Sequence, residues 1–152
     1  INKIKSLYEL RVILIGRGVD YHKIKNYIKM KKLSKLVKVF YTSNPFPYIK
    51  QADLFILSSK YEGLPNVLLE SIALKKMVIS SDCPTGPKEI LLNGKAGLLF
   101  KVGNSTELSK KIIFFIKNKT KCKKILNTSI KKLDRFDYKV NLKKYLSLVK
   151  KI

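Results

Sequence analysis

The chain has 152 residues, 45% of them hydrophobic and 28% charged, and 33 basic against 10 acidic residues give a net charge of +23. That is enough for one domain with a sizeable core, and the composition argues against wholesale disorder. No apolar run reaches the roughly 18 residues that cross a bilayer, and the N-terminal INKIKSLYEL lacks the apolar stretch of a signal peptide. The chain does not start with Met, so it reads as a piece of something longer.

The elements follow in order. Arg11 to Ile15 is an apolar run ending at Gly16-Arg17-Gly18, a buried strand and a tight turn. Tyr21 to Lys35 carries apolar residues at 24, 27, 28 and 33 among lysines, an amphipathic helix. Val37 to Tyr41 is β-branched and aromatic, a second strand. A loop with Pro45 and Pro47 follows, then a helical turn from Tyr48 to Ala52. Asp53 to Leu57 is a third strand, Asn66 to Leu74 a helix, and Met77 to Ser80 a fourth strand. Thr85-Gly86-Pro87 is a turn, Lys88 to Leu92 a short helix, and Ala96 to Phe100 a fifth strand. Thr106 to Lys117 is a helix capped by Ser105 or Thr106, and Asp137 caps a last helix from Tyr138 to Ile152.

Short apolar runs alternating with helices predict βα units and a parallel sheet, an α/β fold. Residues 1–118 are read as the ligand-binding domain and 119–152 as C-terminal helices packing on it or on a further domain. The last helix opposes its apolar stripe with Lys139, Lys143, Lys144, Lys150 and Lys151, which also suits an anionic leaflet. Loops Gly16–Gly18, Thr42–Pro47, Ser58–Pro65 and Asp82–Pro87 all leave strand ends, where such sheets bind ligands, so they are expected to line one crevice.

The positive charge has two readings: a footprint for anionic partners, or compositional drift toward lysine. Arg11, Arg17 and Arg135 are the only arginines, and arginine is the better fork for phosphates and base edges, so nucleic acid is not expected. Cys83 and Cys122 form no metal-binding spacing and suggest a reducing, cytoplasmic setting, the inner membrane face included. His22 is the only histidine, which excludes a Ser-His-Asp or Cys-His site built from other positions.

The segment Tyr61 to Glu70, YEGLPNVLLE, is the richest in chemistry. Glu70 is the only charged residue between Asn66 and Leu74, and a carboxylate on so apolar a helix needs a partner or a ligand. Its bland alternative is solvent or one of the many lysines. Gly63 permits close backbone approach or positive φ. Pro65 suits the first helical turn, leaving the amides of Asn66, Val67 and Leu68 free at the helix N-terminus, an anion site. A diphosphate fits there, with Glu62 and Glu70 toward the two sugars of a nucleotide sugar. A glycosidase pair of carboxylates is the lesser alternative.

The run LFILSSKYEGLPNVLLESIALKKMVISSDCPTGPKEILLNGKAGLLF resembles the retaining glycosyltransferases of family 4, with its Glu-x7-Glu motif at Glu62 and Glu70. NPFPYIKQADLFILSS and GNSTELSKKI resemble them too, so the likeness runs from about Arg11 to Ile116. It implies the C-terminal, Rossmann-like half of a GT-B fold, binding a UDP- or GDP-linked sugar. Glu62 then contacts the transferred sugar as the catalytic carboxylate and Glu70 the ribose. Gly63, Leu64, Asn66, Val67 and Leu68 line the diphosphate, with Gly16 and Tyr48 at the crevice loops, those from Thr42 to Tyr48 meeting the base. No metal or other cofactor is implied, and no Asp-x-Asp occurs. The family commonly has Gly and Pro where Lys75 and Met77 stand, which puts the helix stop in doubt.

The resemblance places the family's first strand, its phosphate-gripping basic residues and the domain for a saccharide or lipid-linked acceptor before Ile1. In the strand order 3-2-1-4-5-6 that strand is central, so a gap in the sheet is expected and the chain alone is not expected to turn over substrate. Surface polysaccharide or glycolipid synthesis is the implied setting. A basic module binding nucleic acid or anionic lipid is the rival, and a GT-B epimerase a third reading.

Overall fold

A computed structural model describes residue 1 and residues 3–150. The chain divides into two compact units, Ile1–Tyr48 and Ile49–Ile152. The described strands form two parallel sheets, one of the first two strands and one of the last three.

In the first unit, β1 (Val12–Ile15) pairs with β2 (Val37–Phe40), from Val12 opposite Val37 to Ile15 opposite Phe40. Helix α1 (Tyr21–Met30) makes the crossover. Ile28, Leu33 and Val37 form the buried centre, with Val12, Leu36 and Val39 against them. The helix ends five residues before the expected Lys35. Lys32 turns left-handed (φ 52°), and the amides of Lys32 and Leu33 donate to the carbonyls of Lys29 and Ile28, both at 2.9 Å. This double bond pattern folds Leu33 back onto Ile28, so the apolar residue at 33 is the contact of a helix stop, not another helical position. Helix α2 (Phe46–Gln51) starts before the expected Tyr48, because Asn44 Oδ1 accepts from the Phe46 amide at 3.2 Å.

In the second unit, β4 (Met77–Ser81) is the middle strand, between β3 (Leu54–Leu57) and β5 (Leu98–Phe100). All five residues of β4 are buried. Val78 joins Leu68 and Ile72 of α3 (Asn66–Ala73), with Ile90 of α4 (Pro87–Ile90) and Leu91. Met77, on the opposite face, joins Phe115 of α5 (Ser105–Lys117) and Cys122 of α6 (Lys119–Lys131). A parallel strand covered on both faces is expected to be apolar; Met77, Val78 and Ile79 are, and the buried Ser80 and Ser81 bond their hydroxyls to backbone carbonyls.

One of two expected caps lies elsewhere. Helix α5 is capped by Asn104, whose side chain accepts from the Glu107 amide at 2.9 Å, while Glu107 Oε2 accepts from the Lys101 amide at 2.8 Å. The Asn-x-x-Glu spacing carries that signal. Asp137 caps α7 (Tyr138–Val149) as expected, accepting from the Val140 amide at 3.0 Å. Helix α6 falls within the 119–152 stretch expected to hold C-terminal helices, its own bounds masked by the lysines crowding its first turns. The stripe of α7 does not pack on its own unit: no residue of α7 is buried. Its last expected residues, Lys151 and Ile152, lie outside the described residues.

The doubtful stop at Lys75 is a full one. Lys75 adopts φ 58°, and the amides of Lys75 and Lys76 donate to the carbonyls of Ile72 and Ser71 at 2.8 and 2.9 Å. An L-residue holds that conformation at a cost that glycine avoids. Lys75→Gly and Lys32→Gly are each expected to raise unfolding stability by about 1 kcal/mol, read in urea melts, whereas Lys76→Gly should not.

Candidate functional site

The loop from Ser58 to Pro65 leaves β3 and enters α3. Pro65 is the N-cap of α3 (φ −73°, ψ 92°), one position before the first helical residue, and it is buried. A cap proline offers no side-chain acceptor, and no acidic residue stands in the first turn. Of the three amides expected to be free, that of Leu68 is not: it donates to the Pro65 carbonyl at 2.9 Å. The amides of Asn66 and Val67 donate to no acceptor among the described residues. They leave the positive end of the helix uncompensated, a setting that favours an anion.

Glu62 and Glu70 are both half-buried. Among the described residues, neither makes an ion pair or a side-chain hydrogen bond. In a chain of net charge +23 this is informative. Of the two bland readings of Glu70, pairing with a lysine is not seen among the described residues, while its half-exposed side chain leaves contact with solvent open. Around it, Leu68, Ser71 and Ile72 are buried, and Ser71 bonds back to the Val67 carbonyl at 2.7 Å. Leu64 is exposed at the tip of the turn.

A second loop, leaving β4, meets the first. The Ser81 hydroxyl and the Cys83 thiol donate to the Ser59 carbonyl at 2.6 and 3.2 Å. The Thr85 hydroxyl donates to the Glu62 carbonyl. Gly86 (φ 84°) lies so close beneath the turn that a Cβ on it would stand 1.8 Å from the Gly63 carbonyl oxygen and 2.6 Å from Pro65 Cδ. Gly63 itself is not left-handed and has open space about its Cα. The glycine this turn requires is therefore Gly86. The sequence places Thr85-Gly86-Pro87 in a loop expected to line the crevice, but nothing local shows that Gly86 packs against the Gly63 carbonyl.

The other two expected crevice loops belong to the first unit. Arg17 lies over the Tyr41 ring at 4.5 Å, joining the turn after β1 to the segment after β2. The Gly16 amide extends the ladder by donating to the Phe40 carbonyl at 3.0 Å, so it is not free for a ligand. Tyr48 sits in α2, not in a loop, with its ring edge-on to Phe40 at 4.9 Å. Each unit thus brings two of the four loops together.

The family model of glycosyl transferases group 1 matches residues 1–132. The chain belongs to this family. An uncharacterized glycosyltransferase of Methanocaldococcus jannaschii is 39% identical over 82 residues, covering 53% of this chain and 20% of that protein. A Campylobacter jejuni enzyme, named as an N-acetylgalactosaminyltransferase acting on a diphospho-undecaprenol-linked saccharide, is 30% identical over 101 residues, covering 66% of this chain and 28% of that one. The crystal structure of Anabaena HepE in complex with UDP-glucose superposes with a TM-score of 0.82 at 24% identity, over 93% of this chain and 41% of HepE. The fold is that of the GT-B glycosyltransferases. The chain therefore spans about a fifth to two fifths of the length of these proteins.

In this glycosyl transferases group 1 domain, no three His, Cys, Asp or Glu side chains converge among the described residues. No helix among them is long and apolar enough to cross a membrane. Because Glu62 and Glu70 lack protein partners, their loss is expected to leave the fold intact. Glu62→Gln and Glu70→Gln should each change ligand-free stability by no more than about 0.5 kcal/mol in denaturant titration. A loss above about 1.5 kcal/mol would reveal a structural role instead.

Proposed function

We propose that the chain is the donor-binding domain of a retaining glycosyltransferase of family 4, taking a UDP- or GDP-linked sugar. The observation that carries this is the pair of unpartnered, half-buried carboxylates at Glu62 and Glu70, set before and within a helix whose Asn66 and Val67 amides are free. Glu62 meets hydroxyls of the transferred sugar and Glu70 the ribose. The diphosphate lies at the α3 N-terminus. The UDP-glucose held by HepE supports such a donor.

The chemistry follows from charge. As the bond between the sugar and the diphosphate breaks, negative charge grows on the leaving phosphate. Amides already fixed at Asn66 and Val67 stabilise it without reorganising, which is where electrostatic catalysis gains most. The donors are main-chain groups, so their aim depends on the backbone of the Glu62–Pro65 turn. The diphospho-undecaprenol substrate in the Campylobacter relative's name supports a lipid-linked acceptor, and with it surface polysaccharide or glycolipid synthesis. Transfer is proposed of the full-length protein, the acceptor being held by parts beyond this chain. The lysines flanking the exposed apolar residues of α7 support contact with an anionic membrane surface.

Calorimetry on the chain with UDP, GDP and their sugar conjugates tests the donor reading. A charge-assisted hydrogen bond is worth about 1.5–3 kcal/mol, so Glu70→Ala should weaken nucleotide binding by roughly ten- to a hundredfold. Glu62→Ala should leave the free diphosphate binding unchanged and remove the gain from the attached sugar. Binding of the nucleotides unaltered by Glu70→Ala, or matched by inorganic pyrophosphate, overturns the assignment.

A further inference from the structure

We infer that Thr85 and Gly86 are positioning residues for Glu62: they fix the Glu62–Gly63 turn and so aim the carboxylate that meets the transferred sugar. This rests on the donor-binding reading above. The Glu62 side chain has no partner of its own, so its place is set by its backbone. The hold on that backbone comes from the next loop, where the Thr85 hydroxyl donates to the Glu62 carbonyl. One residue on, Gly86 fills the space directly under the Gly63 carbonyl and the Pro65 ring. Both of these are rigid groups, so any side chain at position 86 must push the turn aside. The left-handed φ of 84° adds a second reason for glycine there.

The loop that does the holding is itself fastened at both ends. Ser81 and Cys83 grip the Ser59 carbonyl at its start. Lys88 pairs with Asp82 at 3.1 Å across it. Pro87 is buried at the first position of α4, and the Gly86 carbonyl accepts from the Ile90 amide at 3.0 Å. Motion of the turn is thereby referred to β4 and α4, the kind of support a precisely aimed group needs. Thr85 is exposed, and water can satisfy the carbonyl it serves, so its bond contributes little to folding. Its effect falls on the aim of Glu62.

The test uses the whole chain and the variants Thr85→Val, Thr85→Ser and Gly86→Ala. The tightest binder among UDP-glucose, UDP-galactose and GDP-mannose is compared with its free diphosphate. Thr85→Val is expected to cut the affinity gained from the sugar about tenfold, with diphosphate binding unchanged, and Thr85→Ser to restore it. Gly86→Ala should cut it at least as far. Independently of any ligand, backbone order parameters of residues 62–64 from NMR relaxation should fall in Thr85→Val and return in Thr85→Ser. An unchanged sugar gain in Thr85→Val, unchanged order parameters, or failure of Thr85→Ser to restore either one overturns the inference. If the wild type binds no nucleotide, the donor reading falls, and the order parameters at 62–64 alone decide the clamp.

Discussion

The second unit depends on the burial of β4 on both faces. Five consecutive residues from Met77 to Ser81 are shielded by α3 and α4 on one side and by α5 and α6 on the other. A strand so enclosed has little freedom to slip, since a shift by one residue would exchange the two faces. Everything at its carboxyl end inherits that fixity. Ser81, the last strand residue, already reaches sideways to the Ser59 carbonyl, and the loop after it reaches the motif. The site is thus built outward from a fully buried strand to an exposed turn.

Polarity is rationed in the same order. Ser80 and Ser81 are fully buried, and each hydroxyl is spent on a backbone carbonyl. Cys83 and Cys122 are buried as free thiols, and burial raises the Cys122 thiol above its ordinary range despite the neighbouring Lys119 and Lys121. Two carboxylates, Glu62 and Glu70, and two amides, Asn66 and Val67, are left unspent among the described residues. Such economy distinguishes the motif from its surroundings more clearly than charge does, because lysine is spread over the whole surface.

Much of this was legible in the sequence. The five strands, α3 and the Asp137 cap follow from apolar runs, turn residues and short polar side chains, each a local signal. The errors were local as well, and of two kinds. Leu33 fits the helical period and still lies past the helix, because a left-handed Lys32 ends α1 where glycine would have announced the stop. At Lys75 the helix stops where it was expected to, again through a left-handed lysine in place of glycine. Pro65, read as suiting the first helical turn, is the N-cap, and its carbonyl accepts from Leu68, one of the three amides expected to be free. What no local reading supplied is the meeting of Gly86 with Gly63, a contact across 23 positions whose only trace in the sequence is a glycine between threonine and proline.

Helix α7 carries a different kind of consequence. A helix of 12 residues with no buried side chain has almost no tertiary packing to hold it. In water, helices of that length are marginal on propensity alone. Its helical content then becomes a gauge of apolar contact. Any surface that covers Leu142, Leu146 and Val149 would be registered as coil turning to helix, a change visible in the far ultraviolet without any label. The lysine-rich exterior makes that gauge sensitive to salt as well, since like charges on neighbouring turns oppose the coiling that contact favours.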